Sequence, residues 1–195
     1  MDKIHHALKH GQYKSAAKKA RKLAENGHAK AQTILGLLYE NGLGVEKDME
    51  RAIFWMEKAA SQGVAEAENH LGHLYLEGKS IEKDLARAEH WLAKAAEHGV
   101  SEAQLHLGTM YLRGHGVKKD INHAAILLRR AADQGSDEAR EMMERVPVLK
   151  QASDAAKASG QGYSQGLYDL RDSWKGYADI VNSVNSAASG EPNNP

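Results

Sequence analysis

Three of the eleven histidines in the chain stand at spacings that invite chemistry. His70 and His73 are separated by three residues, which puts both imidazoles on one face of a helix, and His106 follows His70 by thirty-six. Neutral imidazole is the commonest protein ligand for a transition metal. A zinc site needs three or four ligands, however, and the chain has no HExxH motif and no further ligand at a recognisable spacing. With no cysteine there is neither a thiolate metal site nor a disulfide framework. No Ser, His and Asp set is fixed by a motif, and no glycine-rich phosphate cradle follows a strand. The sequence therefore predicts no metal, no cofactor and no enzyme. A metal-binding or enzymatic site at His70, His73 and His106 is the alternative reading.

The elements that would position these side chains are written three times. "ILGLLYENGLGVEKDMERAIFWMEKAASQG", from Ile34 to Gly63, returns as "HLGHLYLEGKSIEKDLARAEHWLAKAAEHG". Gly36, Gly72 and Gly108 are thirty-six apart, as are Tyr39, Tyr75 and Tyr111; Gly42, Gly78 and Gly114; Asp48, Asp84 and Asp120; Ala59, Ala95 and Ala131. A period of this length marks stacked supersecondary units, none of which buries its apolar face alone. The spacing sets repeats at 28–63, 64–99 and 100–135, with a half-repeat cap over 1–27 and a C-terminal cap over 136–158.

Each unit reads as two helices. Ala31, Leu35, Leu38 and Tyr39 form one stripe of a helix A, beside Gly36, where only a hydrogen lets another helix approach. The connection "NGLGVEKD" ends on Asp48, whose carboxylate suits the orphan amides of the next helix, and Asp84 and Asp120 should act likewise. Ala52, Trp55 or Met56, Ala59 and Ala60 share a face of helix B, which stops at Gly63. Ser101 and Gln104 have the spacing of a capping box at the start of the third unit. Beyond it, "SDEAREMMERVP" begins a fourth helix A that Pro147 ends, with Glu144 in place of the close-packing glycine.

The pattern A-x3-LG-x2-Y-x2-G-x-GV-x2-D-x3-A-x2-W-x2-KAA-x2-G resembles the Sel-one-like repeat family, a branch of the tetratricopeptide-like helical solenoids. "AQTILGLLYENGLGVEKDMERAIFWMEKAASQG" fits it throughout, while Ser80 replaces the second loop glycine of repeat 2 and Leu127 the tryptophan of repeat 3. The resemblance implies an all-α fold, a right-handed α-solenoid of helix-turn-helix repeats with capping helices, whose A helices line a concave groove. It also implies an adaptor or scaffold that gathers other proteins. By similarity to tetratricopeptide solenoids, the groove positions are Thr33, Leu37, Glu40 and Asn41; Asn69, His73, Leu76 and Glu77; and Leu105, Thr109, Leu112 and Arg113. They differ between units where the packing residues recur, and they suit a peptide held by side-chain hydrogen bonds.

Lysine plus arginine number 26 and aspartate plus glutamate 26, so no global field draws the chain to nucleic acid or an anionic membrane. The first 27 residues carry seven basic side chains against two acidic ones, but Tyr13 is the sole aromatic there, which favours an acidic protein partner over nucleic acid. No run of eighteen apolar residues is present, and the N-terminus lacks a signal-like apolar core, so a cytoplasmic location is expected. In the last segment, 159–195, a glycine-containing hinge precedes Tyr163, Leu167, Leu170, Trp174, Tyr177, Val181 and Val184. Their alternating spacing of four and three predicts an amphipathic helix over 163–186 that docks on the solenoid or pairs with a second copy as a homodimer, with a disordered extension as the alternative reading, and the end "SGEPNNP" is expected to be disordered.

Overall fold

The repeated aspartates act as the spacing requires. Asp48 Oδ1 accepts from the amide of Arg51 at 3.0 Å, Asp84 from those of Ala86 and Arg87, both at 3.0 Å, and Asp120 from that of His123 at 2.9 Å. The backbone amide of each aspartate donates to a tyrosine carbonyl of the preceding helix, Tyr39, Tyr75 or Tyr111, at 3.0 Å. One residue thus closes the loop behind it and opens the helix ahead of it.

A computed structural model describes residues 1–159, which hold ten α-helices and no strand. Helices α1 (Asp2–Lys9) and α2 (Tyr13–Glu25) precede the first full repeat. Repeat 1 is α3 (Ala29–Asn41) and α4 (Met49–Ala60), repeat 2 is α5 (Ala65–Glu77) and α6 (Leu85–Glu97), and repeat 3 is α7 (Ser101–Arg113) and α8 (Ile121–Asp133). Helices α9 (Asp137–Arg145) and α10 (Pro147–Ala158) follow. Among the described residues, 1–68 form one compact unit and 69–159 another. The apolar stripe from Tyr163 to Val184, with the docking and pairing expected of it, lies outside the described residues.

In the first unit Ile4, Leu8, Leu35 and Leu38 pack with the alanines of α2 and with Ala52 of α4. In the second, Leu105, Leu128, Met143 and Leu149 form a core with the alanines of α8. The glycine of each helix A is what lets its helix B come close. A Cβ on Gly36 would lie 2.7 Å from Met56 Cγ, one on Gly72 2.6 Å from Leu92 Cγ, and one on Gly108 2.9 Å from Leu128 Cγ. No real Cβ sits at such distances without displacing its neighbour.

Two local expectations change, and one departure from the repeat shows in the backbone. The capping box of α7 does not form: Val100 is the N-cap, and the Ser101 hydroxyl donates instead to the carbonyl of Ala131 at 3.3 Å. The Gln104 amide is spent on the Ala96 carbonyl at 3.2 Å, and its own oxygen accepts from Gln134 at 2.8 Å. Gln32 repeats this arrangement with Ala24 and Gln62, so the glutamine is a buried clamp between helices rather than a cap. Among the described residues only glycines have positive φ, so Ser80 does not reproduce the left-handed backbone of Gly44 and Gly116. Pro147 begins a helix as well as ending one. Its missing N–H costs nothing at the first position of α10, which buries Leu149, Ser153 and Ala156.

Candidate functional site

Neighbouring A helices of the second unit meet in a definite register. Asn69 on α5 reaches Glu102 on α7, and Thr109 on α7 reaches Met142 on α9, each pair thirty-three residues apart. His73 and His106 are separated by the same interval, and their rings meet edge to face with centroids 4.2 Å apart. The partner on the next helix A therefore sits one turn before the equivalent position of the repeat.

This register assembles a polar group on α5 and α7. The Asn69 amide donates to Glu102 Oε2 at 2.8 Å, and His73 Nε2 lies 3.4 Å from Glu102 Oε1. That ion-pair distance lacks the alignment of a hydrogen bond: His73 Nε2 and Asn69 Oδ1 are both buried without a hydrogen-bond partner. Burial pulls the His73 imidazole below its ordinary pKa, with the Glu102 charge opposing and His70 adding to the fall. Burial does the same to His106, reinforced by His73 and opposed by Glu102, Glu138 and Glu77. Both rings are thereby held neutral near pH 7.

Of the three histidines at suggestive spacings, the structure brings His73 and His106 together and adds Glu102 where the spacing pointed to His70. The ligand atoms of His73, Glu102 and His106 all lie within 4.8 Å of one another. Glu102 stands four residues before His106 on one helix face, a signal visible in the sequence but meaningless without the interhelix register.

The positions expected to face a groove divide by burial. Thr33, Leu37, Asn69 and Leu105 are between 1% and 8% exposed and belong to the packed interior. Glu40, Asn41, His73, Leu76, Thr109 and Leu112 are half-buried, while Glu77 and Arg113 are exposed. The hydroxyls of Thr33 and Thr109 donate to their own helix, to Ala29 and Leu105, and the Asn41 amide donates to Leu37. These side chains retain acceptor capacity more than donors for an extended peptide.

The Sel1 repeat pattern matches residues 29–64, 65–100 and 101–136, each one residue later than the spacing places it. The chain belongs to the Sel1 repeat family. A Sel1 repeat protein from Oxalobacter formigenes is 33% identical, with a TM-score of 0.62 over 66% of this chain and 97% of that one. The protective antigen c5321 of uropathogenic Escherichia coli, which displays an SLR fold, is 32% identical with a TM-score of 0.59, over 89% of this chain and 33% of that one. Cysteine rich protein B of Helicobacter pylori is 25% identical with a TM-score of 0.50, over 66% of this chain and 96% of that one. No protein of curated function matches the chain. The fold class is thus the all-α solenoid of Sel1 repeat proteins, a family whose members are generally interaction scaffolds without enzymatic activity. No helix among the described residues is long and apolar enough to cross a membrane.

Proposed function

We propose that this Sel1 repeat protein is a non-enzymatic scaffold that holds a protein or peptide partner on the helix A faces of repeats 2 and 3, assembling or regulating a cytoplasmic complex. One contrast carries the reading. On α5 and α7 the packing residues recur, Gly72 with Gly108 and Tyr75 with Tyr111, while the exposed position at the end of each helix changes from Glu77 to Arg113. Positions free of packing duty are free to recognise. Leu76 and Leu112 supply apolar anchors, and Glu77 and Arg113 flank them with charges of opposite sign. Other residues for the same role in the first unit are Glu40 and Asn41.

The test uses the partner recovered from the protein's own cells by cross-linking. Leu76→Glu with Leu112→Glu should weaken binding of that partner at least tenfold, because each places a charge against a desolvated apolar contact. Phe54→Glu, on the exposed face of α4, should leave it unchanged. Equal binding by the first variant and the wild type removes the helix A face as the binding surface.

A further inference from the structure

His73, Glu102 and His106 each offer one ligand atom, on two adjacent helices of one compact unit, and the three atoms converge within 4.8 Å. In a tetrahedral site with bonds of about 2.0–2.1 Å, neighbouring ligand atoms stand roughly 3.3 Å apart. The 3.4 Å between His73 Nε2 and Glu102 Oε1 already has that length. His106 brings the third ligand atom within 4.8 Å of both.

Two further observations point to a cation. His73 Nε2 is buried with no hydrogen-bond partner although a carboxylate oxygen lies near it, and a coordinate bond recovers the desolvation cost of such a nitrogen. Glu102 is oriented from behind, since the Asn69 amide holds Oε2 at 2.8 Å and leaves Oε1 facing His73. An amide that fixes a carboxylate in this way is how outer groups position a metal ligand.

We propose that His73, Glu102 and His106 bind one divalent transition-metal ion of the zinc class between α5 and α7, with Asn69 positioning the carboxylate. Two imidazole nitrogens and one carboxylate oxygen favour zinc-like ions over magnesium or calcium, which take oxygen donors. The fourth position goes to water, and the half-exposed Glu102 side chain, 52% accessible, gives the ion a path from solvent. Because the ligands come from repeats 2 and 3, the bound ion clips these repeats together and stabilises the folded chain by mass action. His70 is half-buried and is not one of the three.

The test is titration of the full chain, stripped with a chelator, with Co²⁺ alone and then with competing Zn²⁺. The expected result is one Co²⁺ per chain with the intense visible bands of tetrahedral coordination, displaced by Zn²⁺, and a rise in Tm on adding Zn²⁺. His73→Ala, His106→Ala and Glu102→Gln each abolish the bands, His70→Ala keeps them, and Asn69→Ala weakens binding about tenfold. Circular dichroism of each metal-free variant reports folding, and Glu102→Gln, which keeps the side-chain shape at a half-exposed position, decides the matter if a histidine variant fails to fold. A wild-type chain without these bands, or a Glu102→Gln chain that keeps them at wild-type affinity, overturns the proposal.

Discussion

Asn69 and Glu102 are joined across α5 and α7 by a 2.8 Å hydrogen bond between residues thirty-three apart in the chain. The interval is one repeat less one helical turn, and it recurs between Thr109 and Met142. A double-mutant cycle with Asn69→Ala and Glu102→Ala in metal-free buffer should return a coupling of about 1 kcal/mol, reduced by the exposure of Glu102 from what a buried charged hydrogen bond gives. Additive losses in chemical denaturation would show that the register carries no energy.

Gly72 reverses the usual rule for glycine in a helix. Alanine normally stabilises such a position by about 1 kcal/mol. Here its Cβ would fall 2.6 Å from Leu92 Cγ and 3.2 Å from the Leu92 backbone nitrogen. Gly72→Ala should therefore destabilise by about 1–3 kcal/mol, the cost of overpacking. In a Leu92→Ala background the same change should be neutral or stabilising, because the obstructing side chain is gone. Urea titration of the four chains checks both signs; a stabilised single variant contradicts the packing.

Ser80→Gly restores the residue found at Gly44 and Gly116, yet it should not restore stability. Ser80 has no positive φ for glycine to relieve. The change enlarges the unfolded ensemble and should cost about 0.4–1 kcal/mol. A raised Tm would show that the loop of repeat 2 is strained.

His73 and His106 give the metal-free chain a pH dependence with a definite sign. Burial lowers both folded-state values. The unfolded chain then takes up protons first as pH falls, so stability is full above the unfolded histidine value of about 6.5 and is lost as pH drops through it towards the folded values. Imidazole C–H resonances in chelator-treated protein should titrate below the ordinary value for these two rings. His73→Gln should flatten the fall in Tm between neutral and mildly acid pH. A His73 that titrates at or above the ordinary value contradicts the burial.

The repeats were legible because packing and capping are local to one period. Gly72, Asp84 and Tyr75 each do their work within thirty-six residues of chain, and subtraction of residue numbers finds them. Glu102 was not legible, because its relation to His73 depends on how far one helix A slides along the next, which packing decides and residue types do not. The same limit applies to Asn69 and Leu105, read as groove residues but buried in the interior. The capping-box reading of Ser101 and Gln104 failed for a related reason: a side chain that satisfies a local motif found better partners on other helices, Ala131, Ala96 and Gln134.

If partners are held on the helix A faces of repeats 2 and 3, site-specific photo-cross-linking in the protein's own cells will place them there. A photoreactive residue at Leu76, Thr109 or Leu112 should give one common partner adduct, whereas the same residue at Phe54 on α4 or at Val148 on α10, both exposed, should give none. Adducts from Phe54 or Val148 with none from the helix A positions would contradict the account.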